Sequence, residues 1–385
     1  MHRATAETSS EHPTSTTCFM AIELSRASWL VAVMTPLKDK ISLQSIPCGA
    51  VERLMEIVDR TVAKVAQVTG GPVQVVSCYE AGYDGFWLHR VLQARGVLNH
   101  VLDAASLMVS RRARRAKTDR LDAERLVRVL ASFWRGEPKV CSVARPPTVE
   151  EEDAKRLHRE RQFLVKERVQ HIGRIKGLLA AQGIYQFQPG RRDWADRLGE
   201  LRTGDGRPLP PRLAAEIGRH CQRLALVDQM LKELERERDA MVEDRDASSP
   251  TADRMVRLAQ LKGIGPQVAR VLATEVFYRD FGNRRALASY LGVTPAPFQS
   301  GGMDRDQGIT KAGNPRARTV MIELAWLWLR YQPQSSLAGW FAERTKGLKG
   351  RIRRILIVAV ARKLAIALWR YLQTGLLPAG AELKG

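Results

Sequence analysis

Asp119 and Asp122 stand three residues apart in the run RRARRAKTDRLDAERL, where Arg111, Arg112, Arg114, Arg115 and Lys117 precede the first acid and Arg120 lies between the two. Three helical residues turn the chain through about 300°, so both carboxylates fall on one face at the start of an amphipathic helix. Such a pair suits Mg²⁺ or Mn²⁺, ions that take oxygen ligands, keep several waters and are completed by a substrate phosphate. A two-ion arrangement activates an attacking oxygen and stabilises a leaving one. The neighbouring cations would neutralise phosphates. A plainer reading is that Thr118 caps a helix whose N-terminal dipole favours both aspartates, with the arginines forming a solvated face. The pattern alone leaves both open.

The elements that would position these acids follow from texture. From Cys18 the segments CFMAIELS, SWLVAVMTP and KISLQSIP are short, apolar-rich and bounded by turn or charged residues, which predicts a three-stranded meander. A helix follows over about 49–68, then a buried-type strand VQVVSCYE, a helix over about 84–94, a short strand VLNHVL and the helix of Asp119 and Asp122. Three strands followed by alternating helix and strand give a mixed α/β sheet of the ribonuclease-H-like kind. Glu23 then lies in the first strand and Glu80 ends the fourth. If those strands are neighbours, Glu23, Glu80, Asp119 and Asp122 converge on one or two metal ions. Taken singly, Glu23 also reads as an outward strand residue and Glu80 as a loop acid before Gly82.

Composition narrows the partner. Against 41 Asp+Glu there are 62 Lys+Arg, a net charge of +21 in 385 residues, which points to a polyanion, nucleic acid before membrane. The length allows two or three domains. Five scattered cysteines, with no CxxC pair, argue against a zinc site and a disulfide framework. The polar start MHRATAETSSEHPTSTT lacks the apolar segment of a signal peptide and reads as disordered over 1–17. No run of 18 apolar residues occurs, so the chain reads as cytoplasmic and nucleoid-associated, with no membrane partner.

Beyond the sheet domain, 18–148, the stretch 149–248 is charged and helix-forming. It reads as two long helices paired as an antiparallel coiled coil, a self-association or nucleic-acid-binding arm, or else a plain helical hairpin. The last region, 249–385, reads as mainly helical. In LAQLKGIGPQVARVLATEV, Gly263, Gly265 and Pro266 form a tight turn between helices, a helix-hairpin-helix whose exposed N–H groups suit a phosphate; such turns also serve packing alone. Farther on, Ser300 precedes two glycines in a loop, followed by Lys311, Asn314, Arg316 and Arg318. A serine hydroxyl there is a nucleophile only if a base, a metal or neighbouring cations activate it. By spacing alone Ser-Gly-Gly is a flexible turn. The tryptophans Trp326, Trp328, Trp340 and Trp369, at helical spacing, read as core.

Taken together, YEAGYDGFWLHRVLQARG, KTDRLDAERL, GIGPQVARVLATEV, YLGVTPAPFQSGG and GITKAGNPRAR resemble the DEDD insertion-sequence transposases, the IS-one-ten group, over nearly the whole chain from Cys18. The resemblance implies a ribonuclease-H-like domain of the Holliday-junction-resolvase type, a coiled coil and a C-terminal domain supplying a catalytic serine. The family's four acids map to Glu23, Glu80, Asp119 and Asp122, and its serine to Ser300. One departure is plain: IELSR stands where the family has an aspartate, so the Glu23 carboxylate sits one methylene, roughly 1.5 Å, farther out. The resemblance further implies transposition through a circular DNA intermediate and guidance by a structured RNA of the element; the coiled coil adds the expectation of a homo-oligomer, dimer or tetramer. Because serine and acids lie in different domains, docking within one chain or between subunits would assemble the site. Two other functions stay open on the residues: a metal-dependent junction resolvase that uses water, and a non-enzymatic nucleic-acid-binding protein descended from a transposase.

If phosphate neutralisation carries binding, affinity for DNA falls steeply with salt, the logarithm of the binding constant declining linearly with that of the salt concentration. A salt titration by fluorescence anisotropy checks this, and a flat line contradicts it.

Overall fold

The computed structural model describes residues 15–82, 85–107, 118–138, 140–243, 250–300 and 303–384, and the chain divides into two compact units, Met1–Pro147 and Thr148–Gly385. The basic run Arg111, Arg112, Arg114, Arg115 and Lys117 lies outside the described residues, as does most of the predicted disordered start.

In the first unit, β1 (Thr16–Glu23), β2 (Ser28–Thr35) and β3 (Lys38–Pro47) form the expected antiparallel meander. The chain continues through α1 (Val51–Thr69), β4 (Val73–Glu80), α2 (Trp87–Ala94) and β5 (Leu98–Leu102), and after a short 3₁₀ turn reaches α3 (Asp119–Trp134). Joining parallel strands requires a crossover, and α1 and α2 supply the two that are needed. β4 pairs in parallel with β1 and β5 in parallel with β4, giving the order β3-β2-β1-β4-β5. This mixed sheet is compatible with the ribonuclease-H-like expectation.

Strand alternation divides the apolar residues between two layers. Met20, Ile22 and Tyr79 pack with Leu54 and Ile57 of α1 and Leu88 and Leu92 of α2. Ala21, Ala32 and Cys78 face the other way, against Ala123, Leu126 and Leu130 of α3. The small side chains on that face admit α3 closely, and Cys78 Sγ lies 3.8 Å from the Leu126 carbonyl oxygen. β4, covered on both faces, is buried from Val75 to Tyr79, as a central parallel strand requires.

The second unit opens with α4 (Val149–Asp153), capped reciprocally: Thr148 Oγ1 accepts from Glu151 N at 3.1 Å and Glu151 Oε2 accepts from Thr148 N at 3.0 Å. Next come α5 (Arg156–Ala180), α6 (Trp194–Glu200) and α7 (Pro211–Glu243). Helices α5 and α7 lie antiparallel, since Arg161 pairs with Glu235, Arg168 with Asp228 and Arg174 with Glu216, partner numbers falling as helix numbers rise. Ile175, Leu179, Ile217 and Cys221 seal them near the α6 end.

The remainder comprises α8 (Pro250–Ala259), α9 (Pro266–Val271), a π-helical turn Leu272–Val276, α10 (Arg284–Tyr290), the hairpin β6 (Pro295–Ser300) and β7 (Met303–Ile309), α11 (Pro315–Tyr331), α12 (Ser336–Thr345) and α13 (Arg351–Thr374). Leu258, Leu272, Val276, Leu324, Trp328 and Leu364 belong to its core. Of the tryptophans read as core, Trp328 is fully buried and donates through Nε1 to Ser335 Oγ at 3.0 Å, and Trp340 and Trp369 pack partly buried. Trp326 is 43 % exposed and meets Phe341 edge-on. Among the described residues no helix is long and apolar enough to cross a membrane.

Candidate active site

Glu23 and Glu80 are the last residues of β1 and β4, which are neighbours. Thr16 faces Val73 and Ile22 faces Tyr79, so the same register carried one residue on sets Glu23 beside Glu80, on backbones about 4.8 Å apart. Ile22 and Tyr79 turn toward α1 and α2, and alternation therefore turns both glutamates to the α3 side. On α3, Asp122 lies one turn, and Asp119 two turns, before the Leu126 carbonyl that meets Cys78. Thr118 caps the helix, its hydroxyl accepting from Leu121 N at 3.3 Å, and both aspartates sit in the first turn, where the helix dipole favours them. The plainer reading of these aspartates and the metal reading are therefore compatible.

The convergence of Glu23, Glu80, Asp119 and Asp122 expected from the sequence is not seen: they share one face but are not drawn together into a metal cluster. Among the described residues, no group of three or more His, Cys, Asp or Glu is near enough to hold a metal ion. Glu23 and Asp122 are half-buried, and Glu80 and Asp119 are exposed. An all-oxygen set in which one or two carboxylates bind at a time fits Mg²⁺ or Mn²⁺, which draws its other ligands from water and phosphate. Arg120 is exposed, its Nε donating to Glu124 Oε1 at 3.0 Å, a surface pair of small energetic weight.

Ser300 ends β6 opposite Met303, so it sits at the closed end of a two-stranded hairpin rather than in a free loop. The motifs on either side meet at the hairpin's base. Thr310 N donates to Thr294 O at 3.0 Å, Lys311 N to Gly292 O at 3.2 Å and Asn314 N to Tyr290 O at 2.8 Å. Two glycines make this closure possible: a Cβ on Gly292 (φ +65°) would stand 2.0 Å from Ala312 O, and one on Gly313 (φ +92°) 2.2 Å from Tyr290 O. Lys311 itself has a left-handed backbone, φ 56°, and an exposed side chain. Arg318 Nη1 donates to Lys311 O at 2.9 Å, and Arg316 Nε to Gln162 Oε1 at 2.9 Å. Asn314 caps α11 through Oδ1, which accepts from Arg316 N and Ala317 N. Asn314 and Arg318, nominated by sequence for nucleic acid, thus hold the base of the serine hairpin.

Asn314 leads to a residue that sequence reasoning missed. Its Nδ2 donates to Glu275 Oε2 at 3.0 Å, and the same carboxylate receives Arg159 Nε at 2.8 Å and Nη2 at 3.1 Å, with His158 Nε2 2.9 Å from Oε1. Tyr290 OH donates to the Glu275 carbonyl at 2.7 Å. Glu275 lies in the π-helical turn, a local widening often found at functional sites. Burial disfavours its ionised form, yet the hydrogen bonds from His158 and Arg159 more than offset this and hold the carboxyl well below its ordinary range. Close by, burial lowers the Lys155 ammonium to about 8, and its Nζ stands 3.7 Å from the Tyr278 ring centroid. The sequence signal is an acid inside the mainly apolar run VLATEVF.

The glycine turn before α9 is also packed. A Cβ on Gly263 (φ +84°) would come within 3.2 Å of Tyr331 Cβ on α11, Lys384 Nζ donates to Ala259 O and Ile264 O, and Gly265 is the N-cap of α9.

Glu275→Gln is expected to lower the stability of the second unit at pH 7 by about 3 kcal/mol, because it breaks a buried ion pair. Since the folded carboxyl titrates below 4.5, its ordinary value, the stabilisation is complete above that pH and fades as pH falls beneath it. The gap between wild type and variant in urea unfolding therefore narrows at pH 3.5; an equal gap at both pH values contradicts the charge network. Gly313→Ala should cost about 2 kcal/mol or more through its clash with the Tyr290 carbonyl, against about 1 kcal/mol for Gly49→Ala, where φ is also positive but nothing lies within 4 Å.

Comparison with known proteins bears on both halves of this arrangement. Residues 20–183 match the DEDD-type IS110 family described as a transposase, and residues 255–338 match the family described as Transposase IS116/IS110/IS902. The first match spans Glu23, Glu80, Asp119 and Asp122, and the second spans Glu275 and Ser300. The chain is 48 % identical over 376 residues to y4rJ of Sinorhizobium fredii, which carries the name of a transposase, covering 95 % of this chain and 94 % of that protein. It is 27 % identical to the transposase for insertion sequence element IS1328 of Yersinia enterocolitica, over 66 % of this chain and 71 % of that one. Likeness to the transposase for IS1111A of Coxiella burnetii is 25 %, over 81 % and 80 %.

Proposed function

The chain belongs to the IS110 family of insertion-sequence transposases, and from that premise we propose that it cuts, exchanges and rejoins DNA strands with Ser300 as nucleophile and Glu23, Glu80, Asp119 and Asp122 as holders of Mg²⁺ or Mn²⁺. The observation that carries this reading is the pairing of β1 with β4, which sets Glu23 and Glu80 level on the face covered by the helix of Asp119 and Asp122.

Each unit then has a task. In the first, carboxylates at the strand ends and the first turn of α3 gather around a phosphate, and a divalent ion bound there would supply charge neutralisation and polarisation of the scissile phosphate. In the second, the clamp of Gly292, Gly313 and Asn314 presents the hairpin that ends in Ser300. Serine Oγ attacks phosphorus, an Oγ–P bond forms and the P–O bond to one sugar breaks. The hydroxyl proton passes to a base, and the departing sugar oxygen takes up a proton. Reversal of this step with the end of another strand restores a phosphodiester and frees the serine, so exchange needs no external energy source. Lys311 is the exposed cation of the GITKAGN segment and contributes to phosphate binding in this reading, together with Arg111, Arg112, Arg114, Arg115, Lys117, Arg120 and Arg316. The turn of Gly263 and Gly265 adds a backbone contact.

A charge of +21 also suits a structured guide RNA of the element, with sequence choice left to base pairing while the protein holds backbone and shape. Self-association as a dimer or tetramer completes the proposal, as recombination brings two DNA partners together.

Cells carrying the intact element should yield a PCR product across the excised-circle junction, lost with Ser300→Ala and with Asp119→Asn/Asp122→Asn. Circles from Ser300→Ala would replace the serine by a metal-activated water, as in a junction resolvase.

A further inference from the structure

Beside the base of the serine hairpin, a cavity of about 580 Å³ opens between the hairpin and the first half of α13. Its lining is apolar, with Val293 and Ile309 on one side and Val358, Ala359 and the more exposed Ile355 on the other. Its rim carries Arg351, Arg354 and Arg362, and no acid is among its described lining residues. The α13 positions follow the spacing 351, 354, 355, 358, 359, 362, a single stripe that runs about 16 Å from first to last arginine at 1.5 Å per residue.

We propose that this groove binds an unpaired segment of the DNA strand next to the phosphate attacked at Ser300, with a base against the apolar lining and the arginines on its phosphates. The inference rests on the strand-transfer function proposed above. Three observations favour this occupant. Ile355 is 54 % exposed in the free protein, an apolar side chain left in water at the mouth of the groove. Arg351 and Arg354 stand in the first turn of α13, the end where a cation gains nothing from the helix dipole, so they do not serve that helix. Pro295, which lines the groove, is five strand residues from Ser300, at most about 17 Å, so a strand lying in the groove reaches the serine within a few nucleotides. Aliphatic side chains bury the face of an unpaired base by apolar contact while flanking arginines bind its phosphates, whereas duplex DNA keeps its base faces stacked away from such a surface.

The test uses the purified full chain and a fluorescein-labelled 20-nucleotide DNA of mixed sequence, single-stranded or annealed to its complement, with an RNA of the same sequence as a third probe. Ile355→Glu, at an exposed site that folding does not depend on, should weaken single-stranded DNA binding about tenfold and leave duplex binding within about twofold. Arg351→Ala/Arg354→Ala should reduce the salt slope on single-stranded DNA by about 1.4, two phosphates at about 0.7 each. Equal loss on single strand and duplex, or none on either, overturns the proposal. Loss confined to the RNA assigns the groove to a guide strand and overturns it also, as does a change in sedimentation of Ile355→Glu with binding intact, which would make the groove a contact between copies. These binding measurements involve no strand cleavage. Failure of the nucleophile assignment therefore shows in circle formation and failure of the groove shows here.

Discussion

Taking a carboxylate out of water costs several kcal/mol unless partners replace the lost hydration, and in the second unit Glu275 imposes that demand on everything around it. Its side chain is 2 % exposed. The hydrogen bonds that satisfy it come from α5 through His158 and Arg159 and from the N-cap of α11 through Asn314, while Tyr290 of α10 fastens the backbone beneath. One buried charge therefore sets where three helices stand. Because Asn314 also ends the GITKAGN segment, it fixes the base of the serine hairpin as well. The two crowded glycines, Gly292 and Gly313, follow from this: backbone brought so close leaves no room for a Cβ.

The first unit depends on a different constraint, the parallel register of β1 with β4. Strand pairing allows no half-steps, since a slip of one residue would send a side chain to the opposite face. With Ile22 opposite Tyr79 in the α1 and α2 layer, Glu23 and Glu80 have one place to go, beside each other toward α3. Glutamate in place of the family's aspartate at the end of β1 lengthens one arm of that set without changing the face it occupies. Among the described residues no group of three or more such acids is placed to hold a metal ion, so the register brings Glu23 and Glu80 level without closing the four acids around one.

Much of this was legible in the chain because it is local. Short apolar-rich runs bounded by turn or charged residues mark β1, β2 and β3, the valine-rich VQVVSCYE marks β4, and Thr118 before two aspartates marks the start of α3. What escaped depends on distant partners or on residues that disguise their structure. The prolines of PAPFQS and the glycines that follow conceal a strand pair, so the hairpin of Ser300 reads as a loop. Glu275 looks like an interruption in an apolar helix until His158 and Arg159, more than a hundred residues earlier, are seen to surround it. Asn314 and Arg318 carry the composition of a nucleic-acid site, and the hydrogen bonds they also make at the hairpin's base depend on partners that the sequence does not reveal. The adjacency of β1 and β4 was a condition in the sequence reading and is an observation in the structure.

A serine nucleophile would join covalently to the DNA strand it cuts. Purified protein incubated with Mn²⁺ and an end-labelled DNA bearing the element's terminus, then denatured and digested with protease and nuclease, is the direct test. The expected product is a nucleotide attached to the peptide containing Ser300, identified by mass spectrometry and missing from Ser300→Ala. DNA cut in full yield with no peptide-bound nucleotide would contradict it.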